Sequence, residues 1–517
     1  MKKLILLLCF VSFLTKAQNI TVALGKSFTV EKTGSVTMSG NFSNSGAFTL
    51  NSDSDEFSSI IIGGSVSGNI TYNRYVNPVG SNEWDLIGSP VDGLSISAFA
   101  LTNSSTLATN GSAYAIGEYN NVTDTWTNYT TSTIGSSGNF DIGKGYQMGS
   151  IGSGSGILVF TGSPASTNQT QSIINNDAAN SGTGRRWNLV ANPFPSYIQG
   201  NANAHATNNF LTVNSDKLDD SYEAIYGYDA DGTGYTIYNN IGTLLLAPGQ
   251  AFMVASDNTN SDNISFTTQM RTVVGGDDLI LGRIMQDSYE LILSINQGDT
   301  EIDQTKFYFQ DGLNLGLDPG YDAGHFNQQA ALTSRLVEED EGVGLAINAM
   351  GLESINDVVI PLVINRESAD GFRISIHTNG IYEGTNVYLE DNQQGTMTLL
   401  NEQDFELTPE INLSEVGRFY LHLTQTTFST EDDIQTNHLN AYKLDSSNFI
   451  TVEGLAFQTN QTNLRVYDIL GQEVLHKTLA NNNNRETVST EGFATGVYVI
   501  KLESGNVIVT KKIVIKK

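Results

Sequence analysis

Cysteine, proline and basic residues are scarce in this 517-residue sequence. It has one cysteine and nine prolines, and its 26 lysines and arginines face 55 aspartates and glutamates, for a formal net charge of -29. Cys9 lies in the apolar amino-terminal segment, so the mature chain is expected to have neither a disulfide nor a cysteine-ligated metal. The acidic balance disfavours nucleic acid and anionic lipid as partners. No segment after residue 17 has the roughly 18 apolar residues of a spanning helix, so no transmembrane segment is predicted in the mature chain.

Residues 1–17 have the order of a secretory signal peptide. Two lysines precede an apolar run from Leu4 to Leu14, and Ala17 follows Thr15 at the small-residue spacing of a cleavage site. An apolar run of about a dozen residues is too short to stay in a bilayer as a permanent helix. The sequence therefore predicts cleavage after Ala17 and a secreted protein.

Glycine is abundant, with 50 residues, and Ser, Thr and Asn supply much of the polar sequence. Together with apolar residues that alternate in short bursts, this composition predicts a multidomain, all-β chain of many short strands and tight turns. Residues 18–78 show the pattern most simply, with bursts such as "ITVALG" and "AFTLN" that end at Gly or Asn. This segment is predicted to be a short β-helix or a meander.

Residues 79–277 repeat themselves. The segment "WDLIGSP" at 84–90 returns as "WNLVANP" at 187–193, and "GKGYQM" at 143–148 has a counterpart in "APGQAFMV" at 247–254. Between them lies an aromatic hairpin in each half. Self-similarity at this period predicts two tandem copies of a β unit of roughly a hundred residues, at about 79–180 and 181–277.

The aromatic residues of the two copies form a candidate ligand platform, because exposed rings on a β surface can stack on sugars. Its members are Trp84, Trp126, Trp187, Tyr119, Tyr228 and Tyr235. The alternative is that the recurring tryptophans are core anchors, since a repeated unit must repeat its core and each ring buries about 150–250 Å². The platform interpretation predicts a lectin-like, carbohydrate-binding protein.

The segment "DADGTG" places Asp229 and Asp231 at alternate positions before a glycine, as in the first half of a calcium loop. Asn240 stands where such a loop needs its closing glutamate, so a Gly-rich hairpin tip is the competing interpretation. Calcium is the one cofactor that the sequence suggests.

Residues 278–428 contain eight strand patterns that predict an antiparallel β-sandwich. Their acidic residues include Asp318, Asp322 and the run 338–341, which suit either a solvated loop or the carboxylate pair of a glycoside hydrolase. The six histidines are scattered, and no GxSxG or HExxH motif is present. We expect no catalytic residue and a protein that is not an enzyme. The segments "LGLDPGYDAGHF" at 315–326, "VVIPLVI" at 358–364, "VYLED" at 387–391 and "GRFYLHL" at 417–423 also resemble a region common ahead of secretion signals in bacterial surface proteins.

The charge balance changes near residue 446, after a polar linker predicted at 429–446. Residues 18–446 hold 15 basic and 49 acidic side chains, whereas residues 447–517 hold 8 and 6. This last segment contains "NLRVYDILGQEVLHKTL" and ends in "FATGVYVIKLESGNVIVTKKIVIKK". It resembles the type A C-terminal sorting domain of the type IX secretion system. The positions that match the family pattern are Val466, Tyr467, Asp468, Gly471, Val474, Gly496, Val497, Tyr498, Lys501, Thr510, Lys511, Lys512 and Ile513.

The resemblance implies a small Ig-like sandwich and a route of export. The chain would reach the periplasm, cross the outer membrane with the type IX machinery, and lose the sorting domain to a sortase. It would then be attached to surface lipopolysaccharide or released. We therefore expect a cell-surface or extracellular β protein without enzymatic activity, in adhesion or envelope structure. The alternatives are the carbohydrate-binding protein and a hydrolase with a dispersed carboxylate pair.

Overall fold

The computed structural model describes residues 18–79, 84–177, 185–229, 234–257, 261–276, 289–379, 384–424, 439–443, 448–455, 458–469, 471–480, 485–505 and 507–515. These residues are almost entirely β, with two short α-helices. They fall into two compact units. The first unit contains the described residues up to 217 together with those of 225–236 and 243–282, and the second contains 218–224, 237–242 and the described residues after 283.

The first unit begins with a parallel β-helix rather than a meander. Its eight strands are β1 (Ile20–Val22), β2 (Ser27–Val30), β3 (Ser35–Met38), β4 (Phe42–Asn44), β5 (Ala47–Asn51), β6 (Ser59–Ile62), β7 (Val66–Ser67) and β8 (Ile70–Tyr75). Strands β1, β4 and β7 pair in parallel, as do β2, β5 and β8, and as do β3 and β6. Parallel stacking places like side chains over one another, and the rings of Phe28 and Phe48 lie 5.0 Å apart and 9° from parallel.

Two β sheets of the same strand order follow in the first unit. The first predicted copy contains β9 (Asp85–Ile87), α1 (Ile96–Thr102), β10 (Thr109–Asn110), β11 (Ala113–Asn120), β12 (Thr125–Thr130), β13 (Tyr146–Met148), β14 (Ile157–Gly162) and β15 (Gln169–Ile173). The second contains β16 (Trp187–Ala191), β17 (Tyr197–Gln199), α2 (Phe210–Asn214), β18 (Ile225–Asp229), β19 (Gly234–Tyr238), β20 (Leu245–Leu246), β21 (Ala251–Ala255), β22 (Asp262–Phe266) and β23 (Arg271–Thr272). One sheet runs β9-β13-β11-β12 and the other β16-β21-β18-β19. The copy boundaries drawn from the sequence stay a prediction.

The same asparagine contact ties the helix to a strand in each copy. Asn103 follows α1, and its amide donates to the carbonyl oxygens of Phe99 and Val159 while its Oδ1 accepts from Val159 N at 2.7 Å. Asn214 at the end of α2 makes the equivalent three bonds to Phe210 and Ser265. Both amides are buried, so each satisfies backbone groups that water cannot reach.

The two copies contact each other reciprocally. Gly88 N donates to Gly249 O at 2.7 Å, and Ala191 N donates to Gly143 O at 2.8 Å. Gly143 and Gly249 are equivalent turn residues, with φ of 84° and 70°. Each copy therefore presents its strand end to the turn of the other, as in a two-fold interface.

The second unit contains one large curved sheet. Its strands are β24 (Tyr289–Gln297), β25 (Thr300–Phe309), β26 (Ala323–Gly324), β27 (Leu332–Ser334), β28 (Leu345–Met350), β29 (Asp357–Ile364), β30 (Phe372–Asn379), β31 (Asn386–Asp391), β32 (Thr396–Leu399), β33 (Phe405–Leu407) and β34 (Phe419–Thr424). The sheet order is β32-β31-β34-β29-β27-β28-β25-β24-β30-β33, with β26 beside β28. Strands that are far apart in this order face each other across one core, because Phe405 of β33 lies 6.0 Å from Phe419 of β34. This is the expected sandwich, except that β25 and β28 are parallel, joined by the crossover 310–344.

The predicted sorting domain (447–517) forms two sheets around one core together with β35, a strand that lies within the predicted linker 429–446. The strands of the two sheets are β35 (Asn440–Tyr442), β36 (Phe449–Glu453), β37 (Thr462–Asp468), β38 (Glu473–Leu479), β39 (Arg485–Ser489), β40 (Gly496–Ser504) and β41 (Val507–Ile515). One sheet runs β35-β36-β39 and the other β38-β37-β40-β41. Short 3-10 helices elsewhere in the protein cover Ile134–Ser136, Ser215–Lys217, Asp220–Tyr222, Thr268–Met270 and Leu352–Asn356.

Candidate functional site

The β11–β12 hairpin of the first copy brings two of the predicted platform rings together. Tyr119 and Trp126 are directly opposite each other on the two strands, with ring centroids 5.2 Å apart and planes inclined by 54°. Both side chains are half-buried. The Tyr119 hydroxyl donates to Asp124 Oδ1 at 2.7 Å, which fixes the tyrosine ring at the hairpin tip.

Amide side chains lie next to this aromatic pair on the same face of the sheet. Gln147 Nε2 donates to Asn128 Oδ1, and Asn128 Nδ2 donates to Tyr114 O. Both amides lie over Gly117, where an added Cβ would collide with them. The corresponding residues of the second copy, by the sequence alignment, are Tyr226, Ile237 and Met253. The face is therefore polar beside the rings in the first copy and apolar in the second.

The remaining platform residues lie in different surroundings. Trp187 is 3% exposed, and its ring lies 4.5 Å from that of Tyr226 in an edge arrangement. Trp84 is half-buried and packs against the core of the first copy. Tyr228 is half-buried, and the side chain of Tyr235 lies outside the described residues. The structure thus places Trp187 as a core anchor and brings Tyr119 and Trp126 together at a surface.

The candidate calcium loop lies mostly outside the described part of the chain. Asp231 is not described, and for Asp229 only the backbone at the end of β18 is described. Within the described ranges, no group of three or more His, Cys, Asp or Glu side chains is arranged to hold a metal ion.

The acidic residues of 318–341 hold their own loops together. Asp322 is fully buried and accepts from the backbone N–H groups of Asp318 and Ala349, both at 2.7 Å. Burial raises the pKa of Asp322 to about 7, against the opposing effect of those two hydrogen bonds. Asp340 accepts from Arg335 Nε at 3.1 Å and from Gly342 N at 3.0 Å. The Asp322 and Asp340 carboxylates therefore accept hydrogen bonds from nearby backbone and side-chain groups.

The sorting-domain residues divide between its core and its outer face. Val466, Tyr498 and Ile513 belong to the core, and Gly471 has a φ of 79° in the turn after β37, where Asp468 accepts from Gln472 N. The outer face presents a basic row, since Lys501 pairs with Arg465 and Arg465 pairs with His476 across the strands. Val474 is 43% exposed, whereas Val497 is half-buried. The other matched positions, Tyr467, Asp468, Gly496 and Thr510, lie on these same strands.

Lys511 and Lys512 point to opposite sides of β41. Lys512 is exposed, whereas the Lys511 ammonium forms an ion pair with the buried carboxylate of Glu390 in β31. Glu390 also accepts from His422 Nε2 of β34 at 2.7 Å. Burial would raise the pKa of Glu390, but the hydrogen bond from His422 and the charge of Lys511 outweigh it and lower this pKa to about 2.

Sequence reasoning did not single out Glu390 or His422. The available signal was a charged residue at an inward position of a strand that is otherwise apolar, in "NVYLED". A buried carboxylate needs a partner, but the partner here is 121 residues away in the chain.

In the part of the chain that the structure describes, no helix is long and apolar enough to cross a membrane. A search of curated proteins found no matching relative. A solved structure titled "Biofilm associated protein - BSP domain" is similar at 9% identity over 87% of this chain and 96% of that chain, with a TM-score of 0.16. A likeness this low supports no argument about fold or function.

Two family models match the chain. Residues 446–516 match the model described as "Secretion system C-terminal sorting domain", which confirms the predicted type IX sorting domain and its export to the cell surface or the extracellular space. Residues 10–423 match the model described as "Domain of unknown function (DUF8693)", and this match covers more than half of the chain. The chain therefore belongs to the DUF8693 family and ends in a type IX secretion sorting domain.

Proposed function

We propose that this protein is a non-enzymatic β protein that acts in adhesion or in the structure of the cell envelope. Its export rests on the sorting domain, which implies contact with the type IX machinery. The sortase and surface lipopolysaccharide are the further partners that we propose for the sorting step.

The observation that supports a non-enzymatic role is that the acidic residues of the sandwich are hydrogen-bonded within their loops or buried. A glycoside hydrolase needs two carboxyl groups about 5 to 10 Å apart across an open cleft, with a water or a sugar between them. Asp318 instead accepts from Asn314 N and Asn314 Nδ2, at 2.7 and 2.6 Å, and Asp322 is closed off from solvent. Hydrogen bonds of this kind stabilise loops.

A deletion strain tests the proposal. Cells that lack the protein should attach less to surfaces, or show a weakened envelope, and the intact gene should restore the lost property. Purified protein should release no reducing sugar from a panel of polysaccharides. Turnover that disappears in Asp318→Asn, with folding retained, would show instead that the protein is an enzyme.

Carbohydrate binding at the Tyr119–Trp126 hairpin is a second candidate. Sugar recognition combines an aromatic surface with a few polar groups, and here two rings at the hairpin tip adjoin the amides of Asn128 and Gln147. The replacement of these amides by apolar residues in the second copy favours a role for this one face.

A glycan array with the purified protein tests this candidate. We expect Trp126→Ala to weaken any specific binding at least about tenfold, because an aromatic hot spot contributes about 2 kcal/mol or more. Thr127→Ala is the matched control, since Thr127 is exposed on the opposite face of the same strand. No glycan bound by the folded protein, or equal loss in both variants, would remove the candidate.

A further inference from the structure

The outer side of β31 and β34 is covered, although it faces away from the sandwich core. Val387 and Leu389 of β31 belong to that core, whereas Tyr388 and Glu390 alternate with them on the other side. Tyr388 is 3% exposed and Glu390 is 4% exposed, and Tyr420 on the neighbouring strand is 1% exposed. A second buried face on a sandwich strand requires a further element packed against it.

The sorting domain supplies the charged part of that cover. Lys511 of β41 pairs with Glu390, and the Lys511 side chain is 19% exposed. His422 Nε2 lies 2.7 Å from the same carboxylate, so two potential cations converge on one buried acid. A desolvated carboxylate is costly unless it is paired, so this contact favours the docked arrangement over separated domains.

Apolar and amide contacts continue the same interface. Val514 of β41, which is 5% exposed, packs in one cluster with Val363 and Val416 of the sandwich, and Val497 borders this cluster. Asn440 Nδ2 of β35 donates to Asn392 O, immediately after β31. The contact therefore extends beyond a single ion pair.

We propose that the outer face of the sandwich around Glu390 is a docking surface for the sorting domain of the same chain, with Lys511 as its anchor. Lys512 is exposed on the other side of β41, and on that side of the sheet Lys501 and Arg465 form ion pairs with Glu503 and Glu473 of their own domain. The two adjacent lysines of the sorting motif thus have different surroundings. The buried part of β41, the outermost strand of its sheet, is its end at residues 513–515, and Val514 there packs against the sandwich. A chain that loses the sorting domain loses the cation that Lys511 supplies to the buried Glu390.

Hydrogen exchange of the purified chain that still carries its sorting domain, followed by mass spectrometry of peptides, tests the docking surface. Lys511→Met and Glu390→Gln should each raise exchange in both β31 and β41 at least about tenfold, the usual effect of losing a hydrogen bond to a charged group. The double variant should add little to either single change, because both remove the same contact. Lys512→Met is the matched control and should leave both peptides unchanged.

The result that would overturn the proposal is equal behaviour of Lys511→Met and Lys512→Met. Additive effects of Lys511→Met and Glu390→Gln would also overturn it, because independent sites add. Glu390→Gln could also destabilise the whole sandwich, which faster exchange in β24 and β25 would reveal. In that case the proposal is judged on Lys511→Met alone, since Lys511 lies outside the sandwich. Faster exchange in β31 caused by Lys511→Met supports docking.

Discussion

Two buried glutamates in the second unit should respond to pH in opposite directions. Glu390 has a pKa lowered to about 2 from an ordinary value of 4.5, since its cationic partners outweigh burial. Glu223 has a pKa raised to about 7, by burial first and by the nearby charge of Asp220 second. Replacing either glutamate by glutamine removes the titratable carboxyl group and leaves a side chain of nearly the same shape.

The sign of each effect follows from linkage between protonation and folding. A lowered pKa stabilises the folded state above pH 4.5, and this stabilisation is lost as the pH falls through 2. A fall of about 2.5 in the pKa of Glu390 corresponds to about 3 kcal/mol. Glu390→Gln should therefore cost about 3 kcal/mol of the free energy of unfolding at pH 6 and roughly half of that at pH 3.

Glu223→Gln should raise the free energy of unfolding, and should do so at high pH. The raised pKa of Glu223 contributes stability that is full below pH 4.5 and is lost as the pH rises through 7. Glutamine avoids that loss, so the variant should gain about 3 kcal/mol at pH 8 and almost nothing at pH 4. The two variants are controls for each other, because both exchange a buried glutamate for its amide.

The assay is urea unfolding at pH 3, 4, 6 and 8, read by pulse hydrogen exchange. Peptides of β31 and β34 report on Glu390, and the segment 218–224 reports on Glu223. Local readout is needed because a chain with several cores does not unfold as one two-state system. A stability loss for Glu390→Gln that is the same at pH 3 and pH 6 would refute the reasoning, and so would a loss of stability for Glu223→Gln at pH 8.

Three further predictions concern the first unit, each measured by thermal or urea unfolding. Asn103→Ala should lower the free energy of unfolding by about 3 kcal/mol, because it leaves buried backbone groups without partners, and Asn214→Ala should lower it by a similar amount. A loss under about 1 kcal/mol would show that water replaces the amide. Gly145→Ala should cost about 1 to 3 kcal/mol, since its Cβ would lie 2.5 Å from Leu189 Cγ, whereas Gly135→Ala, with open space around it, should be nearly neutral. Trp187→Ala should cost about 3 to 5 kcal/mol and Trp126→Ala much less, and equal costs would contradict the separation of core anchor and surface ring.

The sequence predicted some residues of the candidate site and missed others. Repetition of the aromatic hairpin located Tyr119 and Trp126 on facing strands, because a hairpin fixes its own register. Repetition did not separate Trp126 from Trp187, because the depth of a side chain depends on what other segments pack over it. The amides beside the rings also come from separate strands, and Gln147 reaches Asn128 only through the pairing of β13 with β11.

The sequence by itself determined the β character of the chain and the identity of its last domain. Period-two alternation and turn residues are local properties, and the sorting motif is a continuous pattern near residues 463–515. Only the tertiary structure decided that the strands of residues 18–78 stack in parallel. The strands recur at similar spacing in the sequence but do not repeat the same residues, so the sequence did not distinguish a β-helix from a meander. It also decided that Lys511 faces Glu390 while Lys512 faces outward. Contacts between residues distant in the chain depend on how whole sheets close and pack, and no local pattern records that.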